Sequence, residues 1–278
     1  VDIELNEYAR KVVHQAVLLF LAAVWLIPIY AMFINGLKTN AGVLSTTVLV
    51  PSGISFEAFS SQLRFTARPV LNSLIVVLPV SVIGAYFGAL GAFAFYRYTS
   101  HVSDAIFAIV SLATFMPVEA VVLPLTKFIV SIGLFNNYLG LIIAYLVFYL
   151  PTGALLMSIF MVVFPKQIIE AARVDGASEW TLFNRVVLPL MIPGVISTFI
   201  YILVEAWDNF FLPLVLTKTP NMMLAPIAAM RYVAALGAVY NQVFAASFLI
   251  SIVPFVIFIF LGRYFIRGLL VLGGGAKG

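Results

Sequence analysis

The sequence has 278 residues, of which 63% are hydrophobic and only 9% charged, with a mean hydropathy of +1.13 and a formal net charge of +4. Soluble domains are about half apolar and about a quarter charged, so this composition excludes a water-soluble monomer and requires a surface that faces lipid, where charges are expensive. Cysteine is absent and histidine occurs only at His14 and His101, which excludes a disulfide framework and argues against zinc or haem; the thinly spread basic residues form no nucleic-acid-reading face.

A membrane crossing takes about 20 apolar residues, and the chain contains six such blocks. The first, 12–35, follows Arg10 and Lys11; it is too long for a signal-peptide core and lacks a small-residue cleavage pattern before Lys38, so it reads as a span. Residues 38–69, with Pro51, Ser52 and Gly53, read as a loop. Spans follow over 70–95 and, after a turn with Arg97, Tyr98, Ser100 and His101, over 104–125. A polar connection from Lys127 to Asn137 leads into a fourth span, 138–161.

Residues 164–189 differ in texture: Lys166, Glu170, Arg173, Asp175, Glu179 and Arg185 predict a charged helical segment. Span five then covers 190–216, a polar loop 217–241, and span six 243–266. The tail from Arg267 to Gly278 is rich in glycine and disfavours a helix. Prolines inside the spans (Pro28, Pro79, Pro117, Pro124, Pro151, Pro213 and Pro254) predict a bundle with bent walls.

Six spans put both termini on one side of the membrane. If that side is the cytoplasm, nine basic residues lie inside, among them Arg97 and Arg185, and six outside, among them Lys38 and Lys218. This is the sense of the positive-inside rule.

Three acids fall within apolar blocks: Glu119, Glu205 and Asp208. In straight helices Glu119 and Glu205 would each lie about 20 Å from the inner end of their spans. Glu205, Asp208 and Asn209 are three and four residues apart and share a helical face. Acids at such depth either line a solute path or pair with basic groups at the outer interface or across a subunit contact. With Tyr201 or Trp207 as an aromatic face, they form a candidate sugar-binding set.

The most specific signal lies in the charged segment. Glu170-Ala171-Ala172 is followed by three residues and Gly176, then by nine residues, Val186, one more residue, and Leu188-Pro189. This spacing resembles the EAA motif of binding-protein-dependent ABC importer permeases, with Val186 in the usual isoleucine place. The two alanines give a helix a small face. Gly176 permits a turn between two short helices, and Leu188-Pro189 is expected to end the second helix and re-enter the membrane.

The resemblance extends along the chain. Gly133-Leu134-Phe135-Asn136-Asn137 and Leu139-Gly140-Leu141-Ile142-Ile143 are similar to the start of span four in sugar permeases. Trp207-Asp208-Asn209-Phe210 is similar to a span-five cluster in which Trp-Asn-Glu-Phe is more usual. The ending from Phe265-Ile266-Arg267-Gly268-Leu269 to Gly275-Ala276-Lys277-Gly278 resembles that of the maltose-type "G" permease subunit.

The resemblance implies an all-α membrane protein with the type I ABC importer fold. Its six transmembrane helices would form one permease domain over 1–278, with a cytoplasmic coupling-helix loop at 164–189. It implies a multi-pass protein of the prokaryotic inner membrane, with cytoplasmic termini, that forms half of the path for a sugar or oligosaccharide. Its implied partners are a homologous permease subunit, two ATPase subunits and an extracytoplasmic solute-binding protein docking on 38–69 and 217–241.

Glu170, Ala171, Ala172, Asp175, Gly176, Leu188 and Pro189 would form the ATPase-coupling site, with Glu170 and Asp175 as charged anchors. The chain has no Gly-x-x-x-x-Gly-Lys-Ser/Thr loop to cradle phosphates, so it is not expected to hydrolyse ATP, and no enzyme activity is expected of it. ATP and magnesium belong on the partner ATPase, and no cofactor is expected in this chain. An ion-coupled secondary transporter could use the three acids but leaves the motif unexplained. An intramembrane enzyme is disfavoured: His-Glu-x-x-His and Gly-x-Gly-Asp patterns are missing, and His14 and His101 lie near helix ends rather than beside buried acids.

Overall fold

The computed structural model describes the backbone over residues 2–236 and 239–274. Among the described residues the long elements are all helices: α1 (Asp2–Gly36), α2 (Asn40–Ser45), α3 (Glu57–Arg97), α4 (His101–Thr114), α5 (Val118–Ser131), α6 (Tyr138–Val162), α7 (Lys166–Val174), α8 (Glu179–Leu182), α9 (Leu188–Leu190), α10 (Ile192–Asp208), α11 (Phe211–Leu216), α12 (Ala225–Leu236) and α13 (Tyr240–Gly274). A π-helical stretch, Phe183–Val187, joins α8 to α9.

Four segments are long and apolar enough to cross a membrane singly: residues 10–36 of α1, all of α3, all of α6, and residues 240–264 of α13. Two further pairs pass the same test jointly but are bent: α4 with α5 by 101°, and Glu179–Leu190 with α10 by 78°. Counting each pair once gives six.

The breaks depart from the straight spans expected over 104–125 and 190–216, and proline chemistry accounts for the first. Pro117 cannot donate a backbone hydrogen bond and disfavours helical geometry at Met116; α4 stops at Thr114 and α5 starts afresh at Val118. The segment 38–69 is also not simply a loop. Thr39 Oγ1 accepts the Gly42 amide at 3.1 Å and starts α2, and α3 begins at Glu57, with Pro69 inside it. Polar residues such as Ser60, Ser61 and Arg64 marked this stretch as outside the bilayer, but exposure to water does not prevent helix. At the other end, α13 runs past 266 to Gly274. Each glycine there costs about 1 kcal/mol, which is too little to stop an established helix. Residues 275–278, including Lys277, lie outside the described residues.

Contacts divide the chain into two compact units, residues 1–66 with 229–251 and residues 67–228 with 252–278. In the first, Phe33, Phe59 and Phe248 form an aromatic cluster with ring centroids 5.2–5.9 Å apart. Gly36 sits against Phe59 and the Ala245 backbone, and Gln62 Nε2 donates to Gln242 Oε1 at 3.0 Å. Lys38 is 1% exposed. Its Nζ donates to Thr46 Oγ1 at 3.1 Å and to the Thr47 carbonyl at 2.9 Å. Burial pushes this ammonium below the usual lysine range, because a low-dielectric site disfavours the charged form.

The second unit has two cores. One gathers Val76, Val80, Ile129, Leu141, Tyr145, Ile202, Leu203 and Leu212 from α3, α5, α6, α10 and α11. The other joins Phe93, Met157, Met161 and Phe164 to Ile169, Leu182, Phe183 and Val187. Between lipid-facing helices burial of apolar area gives little drive, and close backbone packing through small residues takes its place. Gly84 and Gly88 of α3 meet Gly153 of α6 in this way: a Cβ on Gly88 would strike the Gly153 carbonyl carbon, and one on Gly153 would strike the Gly84 oxygen.

One end of this unit is fastened by amides. Asn136, at φ 55°, accepts on Oδ1 from the amides of Lys218 at 2.8 Å and Thr219 at 3.1 Å. Buried Asn72 donates to the Asn221 and Met223 carbonyls, both at 2.8 Å, and accepts from Tyr138 Oη at 2.7 Å.

Candidate functional site

The motif segment folds as two short helices around a tight turn. In α7, Ile169 is buried while Glu170, Ala171, Val174 and Asp175 are exposed and Ala172 is half-buried. The helix ends in a Schellman arrangement: the Gly176 amide donates to the Arg173 carbonyl at 2.9 Å and the Ala177 amide to the Ala172 carbonyl at 3.0 Å. This geometry needs a left-handed residue after the helix, and Gly176 supplies it at φ +81°. Beyond its own chain neighbours no atom lies within 4 Å of where its Cβ would be, so the requirement for glycine is conformational rather than steric. Ser178 Oγ then accepts the Thr181 amide at 3.3 Å and caps α8.

Leu188 and Pro189 do not end this helix. Pro189 lies inside a continuous helical run, with Val187 and Leu188 at right-handed helical angles, and its missing N–H falls directly after a turn already widened from α to π winding. The π-helical turn just before it ends with the Leu188 amide donating to the Phe183 carbonyl. The sharp bend comes later, at Met191, which has φ −90° and ψ 5°.

The knob is fixed to the rest of its unit by aromatic, polar and ionic contacts. Phe183, 1% exposed, lies 5.6 Å from Phe93 and 5.8 Å from Tyr86 between ring centroids. Tyr86 Oη donates to Asn184 Oδ1 at 2.9 Å. Arg97 Nε donates to Glu179 Oε1 at 3.2 Å, and Arg173 Nη2 lies 3.2 Å from the same oxygen. The motif spacing points to Glu170 and Asp175 and gives no sign of Glu179, one of whose two partners lies 82 positions away. Facing outward are two large apolar groups, Val174 at 88% and Trp180 at 62% exposure. Neither was flagged from sequence, and both are unusual on a charged segment.

A second feature is a cavity of about 300 Å³. From α10 it takes Tyr201, Glu205 and Asp208, together with Asn209 just beyond it. These four of the six candidate path residues come together because α10 is regular up to Asp208 and then breaks at Asn209, which has ψ 113°. Asn209 Oδ1 accepts the Leu212 amide at 3.1 Å and starts α11, and its carbonyl accepts from Tyr145 Oη at 3.4 Å.

The other two candidates lie elsewhere. Trp207 is 3% exposed and does not line the cavity; it sits one residue round from Asp208, on the buried face of α10. Glu119 is exposed in the first turn of α5, beyond the 101° bend, so a depth counted along a straight helix does not apply to it. Its neighbour Val118 lines the cavity, with Thr114 and Met116 from the same bend. Sequence reasoning also missed Tyr149 and Thr152 of α6. Their spacing of three puts them on one helical face, but Tyr145 and Ser158 interrupt the same apolar run, so polarity alone does not single them out. The cavity thus presents two carboxylates, an amide, hydroxyls and aromatic faces, a set suited to a polyhydroxylated solute.

Comparison with known proteins places this geometry. The family described as "Binding-protein-dependent transport system inner membrane component" matches residues 81–271. The glucose import system permease protein of Saccharolobus solfataricus is 52% identical over 285 residues, covering 100% of this chain and 99% of that one. The arabinooligosaccharides transport system permease protein of Bacillus subtilis is 26% identical over 94% of this chain and 93% of its own. Among solved structures, a bacterial ABC transporter that imports the acidic polysaccharide alginate superposes with a TM-score of 0.74 at 19% identity, over 93% of this chain and 96% of that one. The chain therefore belongs to the family of inner membrane components of binding-protein-dependent transport systems, and is a multi-pass permease subunit of an ABC importer.

Proposed function

We propose that this chain forms half of the translocation path of a sugar importer, with glucose or a close analogue as the solute. It pairs with a homologous permease, binds two ATPase subunits that carry ATP and magnesium, and receives sugar from an extracytoplasmic solute-binding protein. Residues 1–278 work as one permease domain, with both termini and the 164–189 knob in the cytoplasm. The observation that carries this reading is the knob itself: a rigid two-helix projection with a glycine-locked turn and exposed Glu170, Val174, Asp175 and Trp180. Such a surface in water favours a protein partner. The name of the relative at 52% identity supports the sugar class, as does the cavity's polar lining.

Glu170, Ala171, Ala172, Asp175 and Gly176 form the coupling surface, and Leu188 and Pro189 shape its return toward the membrane. Tyr201, Glu205, Asp208 and Asn209, with Tyr149 and Thr152, line the solute path. The test is reconstitution of the complex in liposomes with its solute-binding protein and radiolabelled glucose. ATP-dependent uptake that disappears when the ATPase is omitted supports the reading. Failure of the ATPase to co-purify with this chain, or uptake driven by an ion gradient without ATP, would overturn it.

A further inference from the structure

The knob and the cavity lie in the same compact unit, and a continuous set of contacts joins them. At the knob end, the Glu179 carboxylate accepts from Arg97, the last residue of α3, while Arg173 of α7 lies against the same oxygen. One side chain thus ties both limbs of the knob to the end of a membrane helix. Three turns back along α3, Tyr86 holds Asn184 by its hydroxyl and Phe183 by its ring. These two attachments fix both the position of the knob on α3 and its orientation.

On either side of Tyr86 along α3, at positions 84 and 88, the side chain is only a hydrogen. Gly84 and Gly88 bring the α3 backbone against α6, where Gly153 and the Tyr149 carbonyl lie; a Cβ on Gly84 would stand 2.8 Å from Ile202 Cδ1 and 3.4 Å from the Tyr149 oxygen. Backbone against backbone leaves no flexible side chain to absorb a displacement, since packed interiors are stiff. On α6, Tyr149 and Thr152 flank that contact and line the cavity.

We infer that Glu179 and Tyr86 are positioning residues that fasten the knob to α3, and that α3 carries displacement of the knob through the Gly84/Gly88–Gly153 contact to the cavity wall formed by Tyr149 and Thr152. This rests on the proposed function, in which an ATPase moves the knob. The contacts specify which bonds to cut to test the coupling. The Glu179 side chain is 41% exposed, and exposed ion pairs add little to stability, so neutralising it leaves the fold in place. Tyr86→Phe keeps the ring on Phe183 and removes only the hydrogen bond.

The natural chain has no cysteine, so Thr152→Cys gives this subunit a single thiol on the cavity wall. In the full complex in lipid nanodiscs, its alkylation rate by N-ethylmaleimide is followed by the intact mass of this subunit, with and without ATP. No transported solute is needed. With the knob attachments intact, ATP changes the rate by about fivefold or more, the range of ordinary allosteric coupling. In Thr152→Cys combined with Glu179→Gln and Tyr86→Phe, the two rates converge to within about twofold while the ATPase still co-purifies.

An undiminished ATP response in that variant, with the ATPase bound, overturns the inference and leaves the proposed function standing. Absence of any ATP response when the attachments are intact and the ATPase is bound also overturns the inference; absence of bound ATPase overturns the proposed function and this inference with it. If the combined variant does not assemble, Tyr86→Phe alone decides the matter: a reduced response supports the inference and an unchanged one overturns it.

Discussion

Gly88 of α3 and Gly153 of α6 are in direct backbone contact, with no room for a methyl group on the facing side of either. Gly88→Ala must therefore push the two helices apart. Overpacking of this kind costs about 1–3 kcal/mol, read as a lower thermal midpoint of the detergent-purified protein. Gly91→Ala, where the nearest atom to the new Cβ is Ala154 Cβ at 3.6 Å, is the matched control and should leave the midpoint unchanged. Equal midpoints for the two variants would contradict the close-packed contact.

Gly176 separates conformational strain from steric blockage. Its backbone is left-handed and the space beside it is empty. An L-residue there costs about 1–2 kcal/mol, with asparagine among the most tolerant and β-branched residues among the least. Gly176→Val should weaken co-purification of the ATPase while membrane insertion persists, and Gly176→Asn should retain most of it. If both variants bind equally, the turn is not what presents the knob.

Asp208 and Glu205 face the cavity from the same side of α10. On the proposed path, losing one charged hydrogen-bonding partner of the solute costs about 1.5–3 kcal/mol, or roughly tenfold and upward in affinity or rate. Asp208→Ala should then reduce uptake of the transported sugar by about that factor with the complex still assembled. Trp207→Phe, on the buried face, should affect stability before it affects uptake. Unaltered uptake in the Asp208 variant would remove this residue from the path.

Asn136 combines a left-handed backbone with a side chain that accepts two amides of the 217–219 loop. Asn136→Gly keeps the backbone freedom and deletes the hydrogen bonds. A loss of about 1–2 kcal/mol is expected from the two orphaned donors, measured by thermal or denaturant unfolding. Asn136→Ala adds the cost of the left-handed φ and should fall further.

Lys38 gives a pH signature. Burial lowers its folded-state pKa below the ordinary 10.5. At neutral pH the lysine is charged in both states and the folded state bears the desolvation cost. As pH rises through the lowered value toward 10.5, the folded form releases its proton first, so this group adds stability over that alkaline window. The difference in melting temperature between the natural protein and Lys38→Met should therefore shift in favour of the natural protein as the buffer becomes alkaline. A difference that does not change with pH would mean that Lys38 titrates normally.

Much of the site was legible because it is encoded locally. The Glu170–Pro189 spacing is a run of twenty consecutive positions, and Gly176 announces a left-handed turn by its residue type. The grouping of Tyr201, Glu205 and Asp208 follows from helix periodicity, and Asn209 joins them where α10 breaks. What escaped depends on long-range partners or on breaks in helices. Glu179 was one charge among several until α3 brought Arg97 to it. Glu119 was misplaced because its depth was reckoned through the bend at 115–117. Trp207 was offered, as an alternative to Tyr201, for the aromatic face beside the acids, but it is one residue from Asp208 and neighbours on a helix point about 100° apart. Tyr149 and Thr152 lie in an apolar run where hydropathy carries no sign of a cavity.

The wide turn at Phe183–Val187 has a consequence for how this segment tolerates change. A π-helical turn holds one residue more than an α-turn of similar rise. Deleting a single residue there would restore ordinary winding and keep everything downstream in phase. The same deletion inside α10 would rotate every later side chain by about 100°, swinging Glu205 and Asp208 away from their neighbours. Of these two nearby stretches, the one before Pro189 is where the chain can shorten by a residue and stay in step.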